Sequence, residues 1–320
     1  MTGTPPAGRR DDEGVDGGEA GPGSVVVSTE TAGLGNRLKS WVSAMRLSPD
    51  ARVHWPVTPH MPARFGDLFT NDCAVDSIPD GARVWGSWRL VVLPEDERHL
   101  PAGFATVGAG ANPLIRGAGK LWWTLRGRPD DRYRYMVFPK THSRRSTRAD
   151  ARHLDLEYGR IPQYFRDLYA PLFRRIDVRP EIARRADRWA AEAGLDAATV
   201  GVQVRTWRDD PRRHRKYHRP AAKRLLRLMD GVPRERRFLV VSDEDGVIGS
   251  LQQRYGAGRV LHFPRETARA DSWRSAEGVS EDLIDMLLLA RTRRLFASYL
   301  STFSEAAWWL GGASAEVDVF

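Results

Sequence analysis

The sequence predicts an α/β protein whose second half is built on a parallel sheet. Two observations support this class. In residues 196–320, apolar runs of four or five residues alternate with stretches of helical spacing, which is the order of a β/α repeat. The apolar runs are continuous rather than alternating, as expected for strands that are buried on both faces of a parallel sheet.

The carboxyl ends of these predicted strands locate the candidate functional loops. Ligands of open parallel sheets bind beyond the carboxyl ends of the strands. We therefore expect function in the loops that follow Val204, Val241, Phe263 and Ala297. The predicted strands are residues 200–204, 238–241, 260–263 and 294–297, and the predicted helices are residues 221–229, 246–255, 281–289 and 304–310.

The first half of the chain begins with a strand–loop–helix unit. Residues 24–28 are a short β-branched run typical of a buried strand, and a turn containing glycine follows. Leu38, Trp41, Val42 and Met45 recur at the spacing of one helix face, which predicts a helix over 34–47. The other predicted strands are 52–57, 82–93 and 133–138, and the other predicted helices are 159–175 and 179–193.

Composition divides the chain into three parts. Residues 1–23 contain seven Gly and three Pro with almost no large apolar side chain, so we predict a disordered tail without a secretory signal. Residues 24–195 are predicted to form an α/β domain with linking helices, and residues 196–320 a Rossmann-like domain. No run approaches the ~20 apolar residues of a membrane-spanning helix. The single Cys73 excludes cofactors held by several thiolates and fits a reducing, cytoplasmic location.

The net charge of +9 indicates a polyanionic ligand, either a phosphate-bearing molecule or a nucleic acid. The tail contains two Arg against five Asp or Glu, a charge of −3, so the remaining residues carry +12. Of the 50 basic residues only five are Lys, a ratio that agrees with the codon usage of a GC-rich bacterial genome. The net charge alone therefore does not distinguish a phosphate-bearing ligand from a nucleic acid, and the positions of the basic residues have to decide between them.

A first candidate site lies where the helix over 34–47 begins. Gly33 and Gly35 permit close approach of a ligand to the backbone, and the helix start offers free N–H groups. Arg37 adds a full positive charge, so a phosphate group would be stabilised there. The alternative is purely structural, with a tight turn at the glycines and Asn36 as a cap.

A second candidate is Arg205, directly after the strand over 200–204. An arginine at the carboxyl end of a parallel strand faces the ligand crevice and can clasp two phosphate oxygens. The alternative is an ion pair with a neighbouring carboxylate. Residues 205–219 contain seven Lys or Arg, which would suit a solvated loop, a nucleic-acid patch or a lid over a diphosphate.

Two further loops carry polar groups at strand ends. Ser242 and Asp243 follow the strand over 238–241, where Asp243 would either accept hydrogen bonds from a nucleoside or, with Asp245, hold a metal ion. Ser301, Thr302 and Ser304 open the last helix, a geometry that binds phosphate oxygens or simply caps the helix.

The order of these motifs resembles the superfamily of nodulation-type, α-1,6 and protein O-fucosyltransferases. That resemblance implies a GT-B-like fold, with two Rossmann-like α/β domains facing a cleft that binds GDP-fucose. The first domain would then be the acceptor side and the second the donor side. The matching segments are GLGNRLKSWVSAMRLS (33–48), GVQVRTWRDD (201–210), FLVVSDEDGVIGSLQQRYG (238–256) and DLIDMLLLARTRRLFASYLSTFSEAAWWLGG (282–312).

The resemblance implies roles for individual residues. Arg205 would grip the β-phosphate of the donor and Asp243 would contact the nucleoside. The activity would be inverting and independent of metal, with a glycan or other hydroxyl compound as acceptor. The loop around the diphosphate and base would be formed by Thr302, Phe303 and Ser304, and the loop that closes over it by Asn36 and Arg37.

Two departures from the family pattern leave the general base open. Where the family usually has His-x-Arg, this chain has Gln203-Val204-Arg205, and glutamine does not titrate. Where some members have a glutamate eight residues beyond the arginine, this chain has Arg213. We therefore take Asp209 as the candidate base.

Two other functions remain open from the sequence. A sugar-nucleotide-binding protein without catalytic activity would explain Gln203 and the missing glutamate. A nucleic-acid-binding protein would use the basic run over 205–219 and would show steep salt dependence.

Overall fold

The computed structural model describes residues 25–100, 152–154 and 158–320. The predicted tail over 1–23 and the predicted strand over 133–138 lie outside these ranges. Of the helices in the described ranges, none has the length and apolar character needed to cross a bilayer.

The first sheet has four strands, and all of its neighbouring strands are parallel. Their order is β3-β2-β1-β4, so the chain moves outward from β1 in one direction and then adds β4 on the other side. The elements are β1 (Val26–Ser28), α1 (Leu34–Leu47), β2 (Arg52–His54), α2 (Phe65–Leu68), β3 (Ala74–Val75) and β4 (Arg83–Trp85).

Two predicted strands of this half are shorter than expected. The segment 82–93 is divided into β4 and β5 (Leu90–Val92), because the chain turns after Gly86 and the indole of Trp85 donates to the Ser87 carbonyl at 3.0 Å. β5 pairs antiparallel with β6 (Arg152–Leu154), outside the parallel sheet. β2 ends before Pro56, which has no N–H to donate to a neighbouring strand.

The second sheet has five strands in the order β11-β10-β7-β8-β9, all parallel, which confirms the predicted α/β class. The central strands β7 and β8 are buried along their whole length. The strands are β7 (Val200–Val204), β8 (Phe238–Ser242), β9 (Val260–Leu261), β10 (Arg294–Ala297) and β11 (Glu316–Val319).

The last two helices around this sheet begin earlier than predicted because serine residues cap them. Ser275 and Ser301 accept hydrogen bonds from the backbone N–H of Gly278 and Ser304, so the last two helices start at Ala276 and Thr302. The helices are α3 (Gln163–Phe173), α4 (Pro180–Glu192), α5 (Pro211–Arg213), α6 (Arg219–Asp230), α7 (Asp245–Tyr255), α8 (Ala276–Leu289) and α9 (Thr302–Leu310). A π-helical turn over His214–His218 joins α5 to α6.

The two sheets meet where α1 packs against α9. α1 begins after the carboxyl end of β1 and α9 begins after the carboxyl end of β10, so this contact brings the two carboxyl edges together. A Cβ atom added to Gly35 would lie only 2.5 Å from the backbone oxygen of Thr302, which means that only glycine permits this approach. One buried cluster of apolar side chains includes residues of both halves, such as Trp41, Trp55, Val241 and Trp309.

A buried ion pair lies in the same contact. The Lys39 ammonium on α1 is 2.5 Å from the Glu305 carboxylate on α9, and the two side chains are 3% and 12% exposed. The second carboxylate oxygen of Glu305 accepts from the indole of Trp309 at 3.4 Å. The contact between the sheets is therefore both apolar and ionic.

We expect Gly35→Ala to destabilise the protein by about 1–3 kcal/mol, the cost of overpacking a well-packed contact. The atom that the new methyl group meets belongs to the backbone of α9, so it cannot rotate away. Urea unfolding measures the effect. Gly33→Ala is the matched control, because nothing lies within 4 Å of its Cβ position and its φ of −66° suits alanine. Equal stability of the two variants would contradict the close approach.

Candidate active site

The candidate site lies in the crevice between the carboxyl ends of β7 and β10. From β7 the chain adds β8 and β9 on one side and then β10 and β11 on the other, so the strand order reverses between β7 and β10. Such a reversal opens a crevice in which ligands of α/β sheets bind. Both predicted phosphate-binding loops, after Val204 and after Ala297, border this crevice.

Hydrogen bonds connect the loops that follow β7, β8 and β10. The backbone N–H of Arg205 donates to the Ser298 hydroxyl at 2.8 Å, and Ser298 in turn donates through its N–H and its hydroxyl to the Gln203 carbonyl, each at 3.1 Å. The N–H of Thr206 donates to the Asp243 carboxylate at 2.8 Å. The loops after β7, β8 and β10 therefore have a fixed arrangement.

Arg205 presents an exposed guanidinium at this crevice. Its central carbon lies 4.5 Å from the centroid of the Trp207 ring, and the Arg213 guanidinium lies 4.9 Å from the same ring. Among the described residues no carboxylate forms an ion pair with Arg205, so the alternative suggested by the sequence is not seen. The cation is held by an aromatic face and remains available to an anion.

The loop that carries Arg205 has a strained backbone. Trp207 has a φ of +56°, a left-handed conformation that bulky residues rarely adopt and that costs on the order of 1–3 kcal/mol. Leu300, in the loop after β10, has a φ of +57°. Strain of this kind is concentrated at functional sites, and here it occurs on both sides of the crevice.

The start of α9 offers two free donors. The N–H groups of Ser301 and Ser304 are bonded to Ser298 and to the Ser301 hydroxyl. No group in the described ranges accepts from the N–H of Thr302 or Phe303, which occupy the first two positions of the helix. These two residues, both predicted to bind the donor, can do so through their backbone.

Several predicted donor-binding side chains are instead buried and support the site. The Ser304 hydroxyl lies 3.3 Å from the side-chain oxygen of Gln203 and 3.2 Å from the Tyr158 hydroxyl. Ser301 caps α9, as the structural alternative predicted. The Ser242 hydroxyl accepts from the N–H of Glu244 at 3.2 Å. These hydroxyls and the Gln203 side chain therefore support the loops of the site, and their direct contact with a ligand stays a prediction.

Arg37 has a structural role in the described ranges, and its predicted contact with phosphate stays a prediction. Its guanidinium is 2% exposed and donates to the carbonyls of Ala32, Pro56 and Thr31 at 2.8, 2.9 and 3.2 Å. It also lies 4.8 Å from the ring centroid of Trp55. Burial lowers the pKa of Arg37 to about 10, with an opposing effect of Glu30. The cation fixes the loop between β1 and α1.

The rest of the first predicted site is only partly as expected. Gly35 serves helix packing rather than access of a phosphate. Gly33 is the cap residue of α1, so Asn36 does not cap the helix. The side-chain oxygen of Asn36 is buried without a hydrogen-bond partner among the described residues.

The acidic candidates have separate partners. Asp209, the predicted base, is exposed and forms an ion pair with Arg208 at 3.3 Å. Asp243 binds the N–H of Thr206, whereas Asp245 forms an ion pair with Arg269 at 3.3 Å. The carboxylates of the Asp-x-Asp sequence therefore bind groups on different loops.

Aromatic and histidine side chains lie beside Arg205 that were not among the predicted site residues. Trp207 supports Arg205, and the ring of Tyr217 lies 6.1 Å from that of Trp207. His214 and His218 lie on the π-helical turn next to the same loop. Their only signal in the sequence is that they interrupt the run over 205–219, whose seven Lys and Arg residues suggest a single charge cluster.

No protein-family model matches the chain, and the search of curated proteins also found no match. The comparison with solved structures did find chains that are similar to this one. The fucosyltransferase NodZ from Bradyrhizobium is 19% identical with a TM-score of 0.48, covering 89% of this chain and 91% of NodZ. A mutant of Arabidopsis thaliana FUT1 in complex with GDP is 15% identical with a TM-score of 0.46, covering 92% and 70%. The apo form of POFUT1 is 13% identical with a TM-score of 0.43, covering 93% and 98%.

Proposed function

We propose that the protein is a glycosyltransferase that moves fucose from GDP-fucose to a hydroxyl group of a glycan or another acceptor. The observation that carries this proposal is the exposed Arg205 guanidinium at the point where the strand order of the five-stranded sheet reverses. The identity of the donor, GDP-fucose, is inferred from the resemblance of the sequence motifs to those of fucosyltransferases.

The proposed reaction is a single displacement at the anomeric carbon. Arg205 and the free N–H groups of Thr302 and Phe303 stabilise the negative charge that develops on the leaving diphosphate. Preorganised donors of this kind usually supply the largest share of catalysis. The acceptor attacks from the opposite face of the sugar, which inverts the configuration.

Asp243 is the proposed contact to the nucleoside. One of its oxygens accepts from the N–H of Thr206, and no group in the described ranges donates to the other, which we assign to a ligand donor. The reaction proposed here uses no metal ion, because protein cations and N–H groups supply the positive charge. Catalysis without metal and the identity of the sugar are parts of the proposal.

Selective stabilisation by GDP tests the proposal. A ligand that binds only the native state at 100 times its Kd raises stability by about 2.7 kcal/mol, so GDP should raise the Tm by several degrees without Mg²⁺. UDP, ADP and CDP, each with and without Mg²⁺, are the comparisons. A shift that requires UDP and Mg²⁺ would overturn the proposed donor.

Release of GDP from GDP-fucose separates an enzyme from a binding protein that lacks catalysis. An active transferase releases GDP slowly even with water as the acceptor, and faster with a suitable hydroxyl compound. A GDP-dependent rise in Tm with no release under either condition would support the non-catalytic alternative instead.

A further inference from the structure

Two histidines beside Arg205 have no part in the mechanism described above. The rings of His214 and His218 lie 4.9 Å apart on the π-helical turn that follows α5. Both are held by the loop that carries Arg205, since His214 binds the carbonyl of Thr206 and His218 binds the backbone of Arg205. π-Helical turns of this kind are often found at functional sites.

The hydrogen bond of His214 determines which nitrogen carries its proton. Nδ1 lies 2.7 Å from the Thr206 carbonyl oxygen. A carbonyl only accepts, so Nδ1 must donate, and in the neutral ring Nε2 then has a free lone pair. In the described part of the chain no group donates to this Nε2. The ring is half-buried and its orientation is fixed, as a positioned proton acceptor requires.

The surroundings of His218 favour its neutral form. Burial lowers the pKa of His218, and the neighbouring His214 lowers it further, while Asp243 and Glu244 after β8 and the backbone hydrogen bond to Arg205 act in the opposite direction. The neutral form of His218 therefore persists below the ordinary histidine pKa of about 6.5. Two rings this close resist a second proton.

We propose that His214 is the general base of the transfer reaction, with Nε2 as the proton acceptor. This inference rests on the proposed function. The acceptor oxygen forms a bond to the anomeric carbon, the bond from that carbon to the β-phosphate oxygen breaks, and GDP leaves with the electron pair. The proton of the acceptor hydroxyl goes to Nε2 of His214, while Arg205 stabilises the departing diphosphate.

A structural role for His214 is the alternative, because its ring also fastens the Thr206 carbonyl. His214→Asn separates the two roles. The asparagine amide places an N–H donor close to the position of Nδ1, so the bond to Thr206 is preserved, whereas the lone pair of Nε2 is lost. A structural role predicts normal turnover of this variant, and a base predicts a defect.

The experiment measures GDP release from GDP-fucose with water as the acceptor, together with the rise in Tm caused by GDP. General base catalysis contributes about 10²–10⁴-fold, so His214→Asn should lower kcat by at least about 100-fold and retain the rise in Tm. Azide, a nucleophile with no proton to lose, should restore GDP release and give fucosyl azide.

His99→Asn is the matched control, and its rate should be unchanged. His99 stacks on Tyr164, and Tyr164 binds Asp96, the partner of Arg46 in the last turn of α1, at the opposite end of that helix from the crevice. An unchanged rate in His214→Asn would overturn the base and leave the proposed function intact. Loss of both the rate and the GDP-dependent rise in Tm would show that the substitution disrupts nucleotide binding, and failure of azide to rescue would show that a missing base is not the cause of the defect. Either result would also overturn the base. Absence of GDP binding and release in the wild type would overturn the proposed function, and the base with it.

Discussion

Arg205→Ala is expected to lower the rate of GDP release from GDP-fucose by about 100–1,000-fold, equivalent to about 2.7–4 kcal/mol of transition-state stabilisation. The side chain is exposed and its only described support is the face of Trp207, so the fold should survive. Initial rates at saturating donor and at low donor separate the effect on kcat from that on KM. The defect should be mainly in kcat, because charge develops on the diphosphate during the reaction.

Two further variants test whether the effect depends on the planar guanidinium of Arg205 and not on positive charge in general. Arg205→Lys keeps the charge but loses bidentate binding, so we expect only partial recovery. Arg227→Ala removes an exposed arginine from the outer face of α6 and should have the wild-type rate. A wild-type rate in Arg205→Ala, or an equal defect in Arg227→Ala, would show that the crevice is not the reaction site.

Lys39→Met is expected to destabilise the protein by about 3–5 kcal/mol. The change leaves the Glu305 carboxylate, which is 12% exposed, without its cationic partner in the contact between α1 and α9. A buried charge that loses its partner pays the full cost of desolvation, whereas the long methionine side chain largely preserves packing. Urea unfolding gives the change in the free energy of unfolding.

The double variant Lys39→Met/Glu305→Gln is the control for the ion pair. Removing both charges should restore most of the lost stability, because no uncompensated charge remains buried. If the two substitutions instead add without coupling, the loss comes from packing and the ion pair is not what joins the helices.

The core strands and α1 were predictable because their signals are local and strong. The strands over 200–204 and 294–297 and the helix over 34–47 have the predicted bounds, since continuous apolar runs and one helical face determine them. β11 was missed because an edge strand needs only one buried face, and the alternating sequence Glu316-Val317-Asp318-Val319 resembles an exposed segment. Helix starts were placed too late where a serine cap precedes the first apolar residue.

The candidate site was predictable in its location but not in the roles of its side chains. The location follows from the parallel sheet that the β/α repeat predicts, because Arg205 comes directly after the carboxyl end of one of its strands and is exposed there. The strand order, with its reversal beside β7, came from the structure. The burial of Arg37, Gln203 and Ser304 depends on contacts between residues far apart in the sequence, such as the bond from Ser304 to Gln203. Polar residues at strand ends show the same sequence pattern whether they bind a ligand or form hydrogen bonds within a loop, so the pattern does not distinguish these roles.

The division into domains over 24–195 and 196–320 stays a prediction, but the contact at Gly35 bears on how the molecule can move. Because α1 and α9 are in backbone contact and one apolar cluster extends across both sheets, a hinge motion that separates the two sheets would expose buried side chains. A nucleotide that enters such a preformed crevice loses little binding free energy to rearrangement of the protein. Selectivity for base and sugar would then be altered through substitutions in the strand-end loops, which makes those loops the natural target for redesign.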